Sequence, residues 1–215
     1  MILVPVKNLA NAKQRLARVL NQSSRTELAR AMLEDVLDEL AECASDEVSL
    51  VTSDAFALEL ADHYRFGVIA DDSNLNESAA IEMATRVCES RGIQSTLVIP
   101  ADIPLIEAAD IRAIYDGAPA KGTVLVPSAD QRGTNAVLRC PAALFPLRFG
   151  NDSFMPHLVA AIATRTSCVV LPLPRIALDI DTPDDLQQLV SAGSEKRSQR
   201  LARKLGFSEA VAADV

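Results

Sequence analysis

Short apolar runs alternate with longer segments of helical period along this 215-residue chain, and that alternation admits few folds. Residues 2–6 read as a fully buried strand, with further strands expected at 48–52, 67–70, 96–99, 123–126, 135–138 and 167–171. Between them, 25–41 places Ala29, Met32, Leu33, Val36, Leu37 and Leu40 on one helical face. The same period runs through 12–20, 55–63, 77–91, 108–115 and 183–191, and Gly92 is a natural stop for one of these helices. Strands alternating with helices predict an α/β, Rossmann-like fold with a mostly parallel mixed sheet, covered by helices on both faces. Only a loop separates the two strands within 123–139, so an antiparallel excursion is expected there. One domain is expected over residues 1–193, followed by a charged tail or helix at 194–215, with a solvated face as its plain reading.

Two acidic clusters stand at the ends of strand-like runs. In Leu97-Val98-Ile99-Pro100-Ala101-Asp102-Ile103-Pro104, the apolar run empties into Asp102 and then a proline. In Leu178-Asp179-Ile180-Asp181-Thr182-Pro183, two alternating aspartates leave an apolar segment before a helix starts. Ligands of open α/β sheets bind outside the carboxyl ends of strands. Oxygen-only carboxylate sites suit Mg²⁺ bound together with substrate phosphates. The competing reading, that such aspartates are helix N-caps, fits Thr182 well. It explains neither Asp102 nor the Asp179/Asp181 pair.

The net charge of −8 argues against a nucleic-acid surface, which needs clustered Lys and Arg. A small phosphorylated ligand needs only a few local cations. Cys43, Cys88, Cys140 and Cys168 form no CxxC pair and only two histidines are present, so zinc and redox motifs are unsupported. No apolar run reaches the roughly 18 residues of a membrane span, and the first residues enter a strand at once. A cytoplasmic protein without membrane or nucleic-acid partners is expected.

Three loops can carry chemistry. After the first strand come Lys7, Lys13 and Arg15, which can grip a triphosphate or serve as ordinary surface cations. This loop contains neither GxGxxG nor a P-loop. The segment Asp72-Ser73-Asn74-Leu75-Asn76-Glu77-Ser78 can read the edge of a base, or form an Asx turn and a cap, and residue physics favours the cap. The third region pairs Gly133-Thr134-Asn135 with Arg148-Phe149-Gly150-Asn151-Asp152-Ser153. Its glycines permit close approach and its short donors suit a carboxylate or phosphate, although such loops are often turns. His157 follows, with a hydrogen-bonded structural role as its plainer reading.

Together VPVKNLANAKQRL, DSNLNES, IPADIPLI, RGTNAVL, RFGNDSF and DIDTPDDL resemble the 2-phospho-L-lactate guanylyltransferase family of coenzyme F420 biosynthesis. The resemblance runs from the first strand to the helix after Asp181, and rests on the order and spacing of motifs that are individually modest. It implies a glycosyltransferase-A-type nucleotidyltransferase fold. It also implies an N-terminal nucleotide loop with Lys7, Lys13 and Arg15 in catalysis, and Leu75, Asn76 and Asp102 at the nucleotide. Asp102 and Asp179 match the magnesium carboxylates, with Asp181 an additional candidate. Asn135, Gly150 and Ser153, with Thr134 beside them, match the pocket for a phosphorylated acid. Some members carry threonine at the position of Asn135.

The implied substrates are GTP and 2-phospho-L-lactate, phosphoenolpyruvate or 3-phospho-D-glycerate, with Mg²⁺ as cofactor. The product would pass to a downstream F420-pathway transferase, and a homodimer is a candidate assembly. The acceptor's phosphate oxygen is already anionic, so attack on the α-phosphorus needs no general base. Two other readings remain open: a nucleotidyltransferase for a sugar phosphate, molybdopterin or an isoprenoid-precursor phosphate, and a silent nucleotide-binding scaffold. Retention of Asp102, Asp179, Asp181 and the N-terminal cations counts against the scaffold.

Overall fold

In the computed structural model, which describes residues 1–43, 47–71, 76–150 and 152–208, the apolar runs become seven strands. They are β1 (Ile2–Pro5), β2 (Val48–Thr52), β3 (Gly67–Ala70), β4 (Thr96–Val98), β5 (Gly122–Pro127), β6 (Thr134–Cys140) and β7 (Ser167–Val170). The helices are α1 (Gln22–Glu42), α2 (Ala55–Tyr64), α3 (Glu77–Ser90), α4 (Ala108–Asp116), α5 (Phe154–Ala163), α6 (Pro174–Ala177), α7 (Pro183–Ser191) and α8 (Arg197–Lys204). One sheet results, in the order β3-β2-β1-β4-β6-β5-β7. β6 is antiparallel to both β4 and β5, while the other pairings are parallel. The excursion expected within 123–139 is this β5–β6 hairpin.

The sheet has an apolar layer on each face, because successive strand residues point to opposite sides. Ile2 and Val4 of β1, Leu97 of β4, and Val124 and Val126 of β5 join one cluster, filled by α1, α2, α4 and α7. Leu3, Val98, Leu125 and Val137 join the other, against Ala80, Ile81 and Ala84 of α3 and Ala161 of α5. Strands covered on both sides must be apolar at every position, which is why they read as continuous runs in the sequence. Each fully buried Leu or Ile contributes about 1.5–3 kcal/mol relative to an exposed one.

Two expectations change. Residues 12–20 do not form a helix. Leu9–Asn11 and Gln14–Leu16 are single 3-10 turns, and Lys13 between them adopts the left-handed conformation, φ 54 and ψ 46. The helical spacing there is real, but the ion pairs of Lys13 described below outweigh it. The C-terminal stretch, read as a solvated face, is over 197–204 a helix docked on α1 and α7. Asp35 of α1, fully buried, accepts from Arg197 N and Ser198 N at 2.9 Å each and from Ser198 Oγ at 2.6 Å. A carboxylate from another helix thus satisfies the first orphan N–H groups of α8. No helix among the described residues is long and apolar enough to cross a membrane.

Candidate active site

All strands except β6 run in one direction, so the carboxyl ends of β1, β2, β3 and β4 meet at one edge of the sheet. β6 starts at that edge with Thr134. The two acidic clusters converge there through a backbone bond, from Ile180 N to the carbonyl of Asp102 at 3.0 Å. Neither cluster is a cap. Thr182 and Asp185 form the capping box of α7, and Glu107 with Asp110 that of α4.

Lys13 bridges the clusters. Its Nζ donates to Asp102 Oδ2 at 2.7 Å and to Asp181 Oδ1 at 3.0 Å, with the side chain 7% exposed. Burial alone pulls the Lys13 pKa down, but the charges of Asp102 and Asp181 and their hydrogen bonds push it up to about 12. The left-handed backbone at Lys13 turns its side chain back onto them, at a cost of about 1–2 kcal/mol that the two ion pairs offset. Arg15 Nη1 donates to the other oxygen of Asp181 at 3.2 Å. Asp181 is consequently held below the usual carboxylate range; burial opposes the shift, and Lys13 and then Arg15 overcome it.

Asp179 lives in a different environment. Asn135 Nδ2 donates to Asp179 Oδ1 at 3.0 Å, and also to the carbonyls of Ile176 and Ala177 at 2.9 and 3.1 Å. Burial and the negative charges of Asp102 and Asp181 raise the Asp179 pKa, against the lowering effect of the Asn135 bond. A carboxylate in that position gains from a nearby cation. Among the described residues, Asp102 uses only Oδ2 and Asp179 only Oδ1 in bonds to other residues. One hard oxygen of each is thus available to a divalent cation. No three His, Cys, Asp or Glu side chains among the described residues converge as a complete metal cage. A cation taken with its own phosphate and water ligands needs only one or two carboxylates.

On the other side lie the loops around β6 and α5. Ser153 Oγ accepts from Thr134 N at 3.0 Å, which leaves the hydroxyl proton of Ser153 available to an anion. His157 is buried; its Nε2 accepts from Arg148 N at 2.8 Å, so its proton sits on Nδ1, which lies 3.0 Å from Thr134 Oγ1. Burial and then the Arg139 charge push the His157 pKa down to about 4, keeping the ring neutral. It is a structural histidine. Gly150 has φ 126, and a Cβ there would point into open space. Arg132 and Asp152 make a two-bond ion pair, at 2.6 and 3.1 Å, between the two loops.

The nucleotide-side candidates gather around the β1 loop. Lys7 pairs with buried Asp71 at the end of β3. Asn76 caps α3, its Oδ1 accepting from Ala79 N at 2.9 Å, as its residue type suggests. Leu75 lies outside the described residues. Two cavities result. One of about 680 Å³ is lined by Thr134, Asn135, Gly150, Ser153 and Asp179; the other, about 640 Å³, by Lys7, Asn8, Lys13 and Asn76. Arg15, Glu77, Pro100, Asp102 and Asp181 line both. Sequence reasoning gave Glu77 only as a helix start. No local pattern marks a carboxylate that tertiary packing carries onto a shared wall.

Two anionic molecules, one per cavity, would meet at a wall of Arg15 and carboxylates with Lys7 and Lys13 on one side of it, an arrangement suited to phosphoryl or nucleotidyl transfer rather than to acyl chemistry. Known proteins agree. The chain is 34% identical over 202 residues to the phosphoenolpyruvate guanylyltransferase of Roseiflexus castenholzii, covering 94% of this chain and 93% of that one. It is 32% identical over 206 residues to the 2-phospho-L-lactate guanylyltransferase of Methanothermobacter thermautotrophicus, covering 96% and 91%. Its fold matches a Desulfovibrio desulfuricans G20 structure assigned to the nucleotide-diphospho-sugar transferases, with a TM-score of 0.78 at 21% identity and coverage of 94% and 93%. The family model "Guanylyl transferase CofC like" matches residues 1–213, and the chain belongs to this family of guanylyltransferases.

Proposed function

We propose that the protein transfers the guanylyl group of GTP to a small phosphorylated three-carbon acid, releasing pyrophosphate, in coenzyme F420 biosynthesis. The observation that carries this reading is the pair of cavities with a common wall at Asp102 and Asp181. The cavity with Lys7, Lys13 and Asn76 takes GTP, and the cavity with Thr134, Asn135, Gly150 and Ser153 takes the acid. The acceptor is phosphoenolpyruvate, 2-phospho-L-lactate or 3-phospho-D-glycerate; relatives named for the first two support the class.

An oxygen of the acceptor's phosphate attacks the α-phosphorus of GTP. The bond from that phosphorus to the bridging oxygen breaks, and pyrophosphate leaves with the electron pair. No side chain has to remove a proton, because the nucleophile is anionic near neutral pH. Repulsion between the two anions is the barrier that the protein must lower. Arg15 presents positive charge at the common wall, and Lys7 and Lys13 do so in the nucleotide cavity. Ser153 and the backbone beside Gly150 hold the acid so that its phosphate faces the wall. Asp102 and Asp179 would hold Mg²⁺, which would supply charge neutralisation to the triphosphate. Asp181 instead anchors Lys13 and Arg15.

Pyrophosphate release from GTP and Mg²⁺, measured with each of the three acids, tests the reading. Release with one of them and formation of a guanylylated acid is the expected result. Release only with a sugar phosphate or another phosphorylated acceptor would overturn it.

A further inference from the structure

Glu77 stands on the wall common to the two cavities, half-buried at the first position of α3, where the Asn76 cap fixes the helix. It makes no hydrogen bond and no ion pair among the described residues. The neighbouring cations are committed elsewhere: Lys13 to Asp102 and Asp181, Arg15 to Asp181, and Lys7 to Asp71. A carboxylate placed this way presents its acceptor oxygens to a donor from a ligand in either cavity. The phosphates of both reactants are anionic and repel it. The group joined to the reacting α-phosphate through O5′ is the ribose, whose vicinal hydroxyls are neutral donors and match the two oxygens of a carboxylate.

We infer that Glu77 is a specificity-determining residue that accepts hydrogen bonds from the ribose hydroxyls of the bound nucleotide, so that the site selects ribonucleotides over deoxyribonucleotides. The inference rests on the guanylyl-transfer reading above. Burial, and next the charge of Asp102, push the Glu77 pKa up to about 7, and hydroxyl donors favour its charged form.

The test compares GTP with 2′-deoxyGTP and 3′-deoxyGTP in the wild type, Glu77→Ala and Glu77→Gln. Dissociation constants come from calorimetry with Mg²⁺, and kcat/KM from pyrophosphate release. Hydrogen bonds to a charged group predict a roughly ten- to hundredfold preference for GTP in the wild type. Glu77→Ala loses that factor for GTP while its constants for at least one deoxynucleotide stay within about twofold. Glu77→Gln, which keeps an acceptor oxygen without the charge, falls between. Thermal melting of both variants checks that they fold.

Equal weakening of GTP and both deoxynucleotides would overturn the inference, as would a change confined to the Mg²⁺ requirement. A shift in preference between 3-phosphoglycerate, which has a hydroxyl, and phosphoenolpyruvate, which has none, would move Glu77 to the acceptor side and also overturn it. A wild type that turns over GTP without ribose preference sinks this inference alone. A wild type that binds neither GTP nor its deoxy forms sinks the functional reading itself.

Discussion

The backbone N–H of Ile180 donates to the carbonyl of Asp102 at 3.0 Å, and this bond aligns two acidic segments far apart in the chain. Because Asp179 and Asp181 flank Ile180, they start from a shared backbone position and then diverge. Asp179 is tied to Asn135, and Asp181 to Lys13 and Arg15. Like residues on either side of one anchored peptide thereby acquire opposite shifts, Asp179 upward and Asp181 downward. On the proposed reading, that divergence separates a carboxylate for the cation from one that fixes positive side chains.

Substitutions at these aspartates will therefore fail differently. Asp179→Asn will raise the Mg²⁺ concentration needed for half-maximal rate, and Asn135→Ala, which frees Asp179, will do so by about 10–100-fold. Asp181→Asn will instead raise KM for GTP, since Lys13 and Arg15 each lose a partner. Asp102→Asn will lower kcat by about 10²–10³ with the fold intact by circular dichroism. Magnesium titrations and GTP saturation curves on the same preparations separate the three. If Asp181→Asn shifts the magnesium curve more than Asp179→Asn, the two roles are exchanged.

Lys13 supplies the only side chain bonded to both Asp102 and Asp181 among the described residues. Lys13→Ala removes the ammonium that separates them and leaves only Arg15, bonded to Asp181, against their repulsion. We expect kcat to fall by about 10²–10³ and the melting temperature to fall with it. The thermal loss will shrink in high salt, where screening weakens the repulsion, while the catalytic loss persists. A variant with normal kcat would remove Lys13 from the mechanism.

Much of this was legible in the residues. Parallel strands buried on both faces must be apolar throughout, so β1, β2 and β4 stood out, and Asp102 was placed by what followed the run. Thr182 and Pro183 marked the start of α7 because a cap and an N1 proline are local signals. Long-range forces hid the rest. At Lys13, ion pairs to residues remote in sequence override a helical pattern. α5 has no polar face to set its period: Met155, Val159 and Ile162 are exposed, whereas the polar His157 is buried. Docking of α8 depends on Asp35, whose capping role no local pattern reveals. Glu77 acquires its place only when α3 packs against the sheet.

Acid will act through His157. Its pKa, pushed from 6.5 down to about 4, means that the unfolded chain binds a proton more readily than the native one. The stability this contributes is complete above pH 6.5 and is lost as pH falls towards 4, up to about 3 kcal/mol. His157→Phe, beside the rings of Phe145 and Phe149, gives up two hydrogen bonds and will be less stable at pH 7. Its melting temperature will then decline less between pH 7 and pH 5 than that of the wild type. Parallel declines in calorimetric scans would mean that His157 does not titrate in this window.

The acceptor loops allow the sharpest division of labour. Ser153 Oγ already accepts from Thr134 N, so Ser153→Ala removes a donor to the acid and also strands a buried N–H. The second effect costs about 1–3 kcal/mol of stability and must be measured separately, by thermal melting. Lost contact with a charged substrate will raise the acceptor's KM, or lower kcat/KM, by roughly ten- to a hundredfold. Gly150→Val acts otherwise. At φ 126 a branched side chain strains the backbone, and its Cβ enters the open cavity where the acid is expected. The variant will lose acceptor turnover, whereas calorimetric binding of GTP with Mg²⁺ stays nearly unchanged, because the nucleotide cavity touches neither residue. If GTP binding collapses while acceptor kinetics hold, the two cavities have been assigned to the wrong substrates.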